Sequence, residues 1–188
     1  SLNANTTASN NTAVGANALV ANTTGAGNTA VGTFALDANT TAGANTAVGY
    51  EALSSAQTAI QVTAVGYQAL KNCTTSYNTA VGFQALDSCT TGNMNVAVGD
   101  GVLSAVTTST SNTGMGHFAL NANTASNNSA FGRNCLRANG AGHDNTGVGA
   151  TSLTTNSTGV HNTATGSSSM HSNTTGGYNV AIGSSTLD

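Results

Sequence analysis

NTAVGYEAL, at residues 45–53, recurs along the chain with few changes, as NTAVGTFAL at 28–36, VTAVGYQAL at 62–70 and NTAVGFQAL at 78–86. The glycine of this stretch occurs eleven times at a spacing of 17 residues, which shortens to 16 in two places. A fixed period this short, without insertions, indicates a repeat protein in which each unit buries its apolar face against its neighbours.

Seventeen residues are too few for a pair of helices or a propeller blade, and Thr, Val, Asn and Gly are poor helix formers. Each repeat is therefore predicted to be one coil of an all-β, parallel β-solenoid (β-roll). Equal positions of successive coils would stack about 4.8 Å apart, so eleven coils of 16–17 residues give a rod on the order of 50 Å long. We expect residues 1–188 to form a single repeat domain, uncapped at both ends.

Composition excludes several classes of partner. Only 5% of the 188 residues are charged, and the formal net charge is −3. The chain therefore offers no basic patch for nucleic acid or for a membrane surface. No apolar run approaches the roughly 18 residues that would span a bilayer. We expect neither nucleic-acid binding nor direct membrane insertion.

Several positions of the repeat carry the same residue in coil after coil, and such columns should form ladders. Apolar ladders are predicted at Val14, Val31, Val48, Val65, Val81 and Val98, and at Leu19, Leu36, Leu53, Leu70, Leu86 and Leu103. A polar ladder is predicted at Asn28, Asn45, Asn78 and Asn95, and backbone corners at Gly32, Gly49, Gly66 and Gly82. A second polar column follows seven residues after the glycine, at Asn22, Asn39, Asn123, Asn139, Asn156 and Asn173.

The alternation in Asn-Thr-Ala-Val-Gly places the residues three and one before the glycine on one face of a short strand. Both members of this pair are apolar at Val96 with Val98, which favours an inward orientation for that face. The Ala between them is then expected to point outward or toward a partner chain. The glycine is expected at a corner that needs a positive φ or a close backbone approach.

NVAVG at 95–99 and NVAIG at 179–183 resemble the N-x-A-I/V-G repeat of the heads of trimeric autotransporter adhesins. The longer unit, NTAVGYxAL, is similar to repeats of phage-tail-fibre-like and surface-fibre proteins. The resemblance covers essentially the whole chain. It implies a left-handed winding, assembly as a homotrimer and a place outside the cell or on its surface, with a virion tail as the alternative.

Residues suited to chemistry do not form a recognisable site. The four histidines occupy four different positions of the repeat, although His143-Asp144 and His161 lie near one another on adjacent coils. The calcium-binding nonapeptide of other β-rolls is absent. With serine so frequent, no catalytic trio stands out from the repeat. We therefore predict no enzyme activity, no metal site and no cofactor.

Cys73 and Cys89 replace Asn in the second polar column, one coil apart. Their Cα atoms should be about 4.8 Å apart, inside the roughly 4.4–6.8 Å range of disulfides. A disulfide and a reduced, buried pair both fit this register. Cys135 is expected to be a small packed residue.

Two outward features are candidates for recognition. The aromatic residues Phe34, Tyr50, Tyr67, Phe83 and Phe118 form a stripe just after the glycine, suited to contact with a receptor, a glycan or another subunit, or to simple ladder stacking. Paired threonines eight and nine residues after the glycine suggest an ice-binding row. Adjacent residues of a strand face opposite sides, so only one row should face outward, and Gln57 and Gly140 interrupt it.

The ends of the chain match each other. Leu2 occupies the leucine position of a preceding coil, and the chain closes at Leu187-Asp188. This predicts either a slice of a longer fibre or a subunit that stacks end to end. The predicted function is a non-enzymatic structural fibre or adhesin-type rod that assembles with itself, as a lateral trimer or an axial filament. A receptor- or glycan-binding tail-fibre segment is the alternative, and ice binding is less favoured.

Overall fold

The computed structural model describes residues 1–187 as a parallel β-solenoid, and Asp188 lies outside the described residues. Eleven strands of three residues each form one parallel sheet in the order of the sequence. The predicted fold class is confirmed, and the left-handed winding stays a prediction. The strands are β1 Thr12–Val14, β2 Thr29–Val31, β3 Thr46–Val48, β4 Thr63–Val65, β5 Thr79–Val81, β6 Val96–Val98, β7 Thr113–Met115, β8 Ser129–Phe131, β9 Thr146–Val148, β10 Thr163–Thr165 and β11 Val180–Ile182.

Successive coils stack in register, so that Ala47 lies beside Ala64 and Val48 beside Val65. Hydrogen bonds between coils continue beyond the strands. The amide of Leu36 donates to the carbonyl of Ala52 at 3.1 Å, and similar bonds join the coils at other turns. Pairing of the backbone on several sides of each coil explains how strands of only three residues suffice to hold the rod together.

The strand faces are the reverse of the prediction. Ala47 is fully buried, whereas Thr46 and Val48 on either side of it are only partly buried. The same holds along the sheet, so the inward orientation expected for the Val ladder was wrong. The columns at Val14, Val31, Val48, Val65, Val81 and Val98 are aligned but lie on the outer surface.

The reason for the inward Ala is the narrow space inside the coil. Gly114 and Gly147 replace the buried Ala where the preceding coil has a larger residue, Val102 or Cys135, at the facing position. A Cβ atom added at Gly114 would lie 2.5 Å from Cγ1 of Val102, and one at Gly147 would lie 2.5 Å from Sγ of Cys135. The interior accommodates an Ala or Ser facing an Ala, and the larger Val102 and Cys135 each face a glycine instead.

The leucine column forms the core. All nine leucines from Leu19 to Leu153 at this position, and Met170 after them, are buried. These residues have left-handed backbone, with a φ of 50° at Leu36. That conformation costs roughly 1–2 kcal/mol for a residue with a side chain, which burial of a leucine, worth about 1.5–3 kcal/mol, offsets.

The repeat glycine meets both requirements of a corner. Gly49 has a φ of 135°, and a Cβ atom added there would lie 2.3 Å from the carbonyl oxygen of Gly66 in the next coil. A larger residue would therefore be strained in its own backbone and would collide with the neighbouring coil.

The two predicted Asn ladders are buried and hydrogen-bonded. In the first, Oδ1 of Asn28 accepts from the amide of Asn45 at 3.0 Å, and Nδ2 of Asn45 donates to the carbonyl of Ala59 at 2.7 Å. In the second, Nδ2 of Asn39 donates to Oδ1 of Asn22 at 2.8 Å. Each amide thus connects one coil to the next.

Candidate functional site

The aromatic stripe lies on the outer surface, just past the glycine corner. The rings of Tyr50 and Tyr67 stack with centroids 5.4 Å apart, and those of Tyr67 and Phe83 with centroids 5.3 Å apart. Phe34 meets Tyr50 edge-on at 6.2 Å. Phe118 does not join the stack, because Asp100 and Gly101 stand at these positions of the intervening coil, and its ring lies beside His117. Four of the five stripe residues are therefore brought together.

Stacking determines what the stripe can offer to a ligand. Both faces of the Tyr67 ring are covered by the neighbouring rings, which leaves only its edges accessible. Phe83 ends the stack, since Asp100 follows it at the same repeat position, and its side chain is 51% exposed. The ring face available for stacking against a sugar or an aromatic group is the outer face of Phe83.

A polar ladder runs beside the rings. Nε2 of Gln84 donates to Oε1 of Gln68 at 3.0 Å, and Nε2 of Gln68 donates to Oε2 of Glu51 at 2.8 Å. The Lys71 ammonium lies 2.6 Å from the same Glu51 oxygen. Hydrogen bonds from Lys71 and Gln68 lower the pKa of Glu51, and the carboxylate in turn raises the pKa of Lys71. This ladder was not predicted from the sequence, although three long polar residues in register were a usable signal.

Two surface grooves flank the stripe. Phe34, Asp37 and Lys71 line the first, and Phe83 and Asp87 line the second. Asp37 and Asp87 occupy equal positions of the repeat, and burial raises the pKa of both carboxyl groups. One oxygen of each, Oδ1, is buried without a hydrogen-bond partner. Because both oxygens are inaccessible to solvent, they are not available to a ligand in the groove.

A second surface is formed by the outward residues of the eleven strands, which we name the Thr/Val face. It consists of the two columns three and one residues before the repeat glycine, from Thr12 and Val14 to Val180 and Ile182. Neither column contains a charged residue. A strip of this length and strand width covers on the order of 500 Å². One of its two columns is almost entirely Thr, so the apolar part consists of the Val column and the threonine methyl groups, and contiguous patches of this kind often mark contact sites.

The paired threonines differ from the prediction of a single outward row. Thr90 and Thr91 are both exposed, as are Thr107 and Thr108, because these residues lie in a bend rather than in a strand. The Thr90 hydroxyl donates to the carbonyl of Thr107 at 3.1 Å, and related bonds fix other threonines of its column. Ice binding by these rows stays a prediction that a thermal-hysteresis measurement would test.

The cysteines are buried, free thiols in this structure. Cys73 donates to the carbonyl of Thr75 and Cys89 to that of Gly92, each at 3.4 Å. The neighbouring Cys73 thiol and burial raise the pKa of Cys89 above its usual range, and burial raises the pKa of Cys135 to about 12. A disulfide between Cys73 and Cys89 stays a prediction.

Comparisons of the chain with protein-family models, with curated proteins and with solved structures found no match. Within residues 1–187 there is no helix that could cross a membrane. The interpretation of function therefore rests on the aromatic stripe with its grooves and on the Thr/Val face.

Proposed function

We propose that this chain is a non-enzymatic structural rod of an extracellular or cell-surface fibre, which assembles with copies of itself through the Thr/Val face. The observation that carries the proposal is the continuity of that face. Val48 and Val65 are partly exposed, and the same uncharged columns extend over all eleven strands. Burying apolar surface contributes roughly 25 cal/mol per Å², so covering this strip with a second copy is favourable.

The repeat makes a second copy a well-matched partner for this face. Equal residues recur at each coil, so two rods side by side can match Thr and Val columns along their whole length. The resemblance to adhesin heads favours three copies around a common axis, and closed cyclic symmetry is the usual form of homo-oligomers. A strip of about 500 Å² is smaller than the roughly 800 Å² that each partner contributes to a standard interface. We therefore expect assembly to depend on concentration.

The test is the mass of the particle in solution, measured by sedimentation velocity over a range of concentrations. A triple variant changes Val48, Val65 and Val98 to Lys, since charges at these partly exposed, outward strand positions should spare the fold but oppose burial of the face. The matched control places three lysines at Thr90, Thr107 and Thr124, which are exposed on a different side of the coil.

We expect trimers of the unchanged chain and of the control, and monomers of the Val variant. A chain that stays monomeric at every concentration would contradict the proposal. Long filaments that persist in the Val variant would replace lateral assembly with end-to-end stacking, the second mode that the repeat allows.

The second candidate is recognition of a receptor or glycan, as in a tail fibre of a virus or phage. The observation that favours it is the groove lined by Phe83, which has one free ring face, and by Asp87 and Asp100. Saturable binding to a glycan array, lost on Phe83→Ala and retained on Phe34→Ala, would support this role. Equal binding by both variants would remove it.

A further inference from the structure

The turns that precede the last three strands carry an unusual set of side chains. The residue five positions before the repeat glycine has left-handed backbone, with φ values of 57° at Asp144, 55° at His161 and 60° at Tyr178. These turns are tied to one another, because the amide of His161 donates to the carbonyl of His143 at 3.2 Å. Equal backbone geometry in stacked coils directs these side chains from the same edge of the rod, one coil apart.

Three groups that can bind a metal meet at this edge. Nδ1 of His143 lies 2.6 Å from Oδ2 of Asp144. The His143 and His161 rings are perpendicular, with centroids 5.5 Å apart. One ligand atom from each of the three residues lies within 4.8 Å of the others. The Tyr178 ring stacks on His161 with centroids 4.8 Å apart, which supports the orientation of that imidazole.

We propose that His143, Asp144 and His161 bind a divalent transition-metal ion of the Zn²⁺ or Co²⁺ type. Two imidazole nitrogens and one carboxylate oxygen are donors that such ions accept, with bonds of about 2.0–2.2 Å. Tetrahedral bonds of that length place the donor atoms about 3.4 Å apart. The side chains of His143 and Asp144 are 50% and 35% exposed, so modest rotations can bring the donors to that spacing. Water would complete the coordination.

The ion would join two coils of the rod. His143 and Asp144 precede β9, whereas His161 precedes β10, so the bound metal links neighbouring coils outside the sheet. An ion that binds only the folded chain stabilises it by mass action. This inference does not depend on the proposed fibre role, because the Thr/Val face contains none of the three ligands.

A matched control exists elsewhere on the rod. Nε2 of His117 lies 3.5 Å from Oδ2 of Asp100, on the adjacent coil, and both side chains are about half exposed. In the part of the chain that the structure describes, this pair does not belong to a group of three potential ligands. It therefore reproduces the chemistry of an exposed His-Asp pair without the third donor.

The experiment is a Co²⁺ titration of the unchanged chain, of His161→Asn and of His117→Asn, followed by visible absorption and by calorimetry. Asn fits the left-handed conformation, as Asn127 does at the same repeat position with a φ of 62°. We expect one Co²⁺ per chain, unchanged binding in His117→Asn and affinity at least about tenfold weaker in His161→Asn, since groups that merely orient a ligand already contribute that much.

Thermal unfolding with and without Zn²⁺ provides a second readout. The melting temperature of the unchanged chain and of His117→Asn should rise with Zn²⁺, while that of His161→Asn should not, and circular dichroism verifies that each variant is folded. No saturable Co²⁺ binding below millimolar concentration would overturn the proposal. Equal weakening in both variants, or an equal Zn²⁺-dependent rise in all three proteins, would also overturn it.

Discussion

The second Asn column is built differently in the middle of the rod and toward its C-terminal end. From Asn123 to Asn173 the side chains form a continuous chain of hydrogen bonds, with 2.6 Å between Nδ2 of Asn156 and Oδ1 of Asn139. In the four preceding coils the same position holds apolar or weakly polar residues, all fully buried, namely Ala56, Cys73, Cys89 and Val106. One backbone position thus accepts either a hydrogen-bonded amide or apolar packing.

The boundary between the hydrogen-bonded part of the column and its apolar part lowers the stability of the fold. Oδ1 of Asn39 is buried without a partner, because Ala56 in the next coil cannot donate to it. Such an unsatisfied group costs about 1–3 kcal/mol. The rings of Tyr50, Tyr67 and Phe83 stack on the outer surface of the same coils that contain Ala56, Cys73 and Cys89. Each stacked pair of rings contributes about 0.5–1.5 kcal/mol. The stack is therefore of the right size to offset the missing amide ladder.

The largest effect is expected from breaking the intact ladder with Asn156→Ala. This change leaves Oδ1 of Asn139 buried without its donor and removes the Asn173 bond to Oδ1 of residue 156. Nδ2 of Asn156 also donates to the carbonyl of Gly159 at 2.9 Å. We expect a loss of about 3 kcal/mol in the free energy of unfolding, measured in urea, because three hydrogen bonds are lost and a buried acceptor is left unpaired.

The corresponding change in the middle of the rod is Cys89→Ala, which removes one sulfur atom from an apolar site. We expect a loss of about 1 kcal/mol from lost packing. Equal losses in the two variants would mean that the amide ladder contributes no more than apolar filling does, and the distinction between the two regions would fail.

In both regions a large residue inside the coil faces a glycine, and breaking such a pair should have a smaller effect than Asn156→Ala. Gly147→Ala places a Cβ atom 2.5 Å from Sγ of Cys135, so we expect a loss of about 2 kcal/mol from overpacking. Adding Cys135→Ala restores the Ala-Ala pair of the other coils and should recover most of that loss. The same cycle with Val102 and Gly114 tests the middle of the rod, and additive losses in either cycle would contradict the facing geometry.

These compensating pairs show what the sequence could predict. The 17-residue period was sufficient to predict the coil, the parallel register and the Asn ladders, because equal positions of a repeat stack on one another in a solenoid. The direction of the strand faces was predicted wrongly, because apolar Val96 and Val98 suggested an inward face. Gly114 replaces Ala in the strand that follows Val102, and this replacement indicated that the Ala column faces inward.

Other features had no such signal. The left-handed backbone at Leu36 is set by stacking between coils, which overrides the local preference of leucine. The meeting of His143 with His161 depends on two turns that place their side chains on the same edge of the rod. Their place on adjacent coils could be read from the sequence, but their different positions in the repeat predicted no shared site.

The smallest effect is expected from extending the ladder into the middle of the rod with Ala56→Asn. The new amide can donate to the unpaired Oδ1 of Asn39, and the surroundings resemble those of Asn39, since Ala59 stands where Ala42 does. Its own oxygen would face the Cys73 thiol, which is a weak donor. We expect the free energy of unfolding to rise by up to about 1 kcal/mol.

Cys73→Asn is the matched control for this extension, because it introduces the same amide one coil later, where residue 56 offers no acceptor. It should leave the free energy of unfolding unchanged or lower it, since its Nδ2 group gains no coil-to-coil bond and can bond only within its own turn, as Asn123 does with the carbonyl of Ala125 at 2.7 Å. If both variants change stability in the same direction, the unpaired oxygen of Asn39 is not what limits the junction. A rise in Ala56→Asn alone would show that the unpaired oxygen of Asn39 carries the cost of this junction, since a run of amides can also begin without a preceding acceptor, as the run from Asn123 does after Val106.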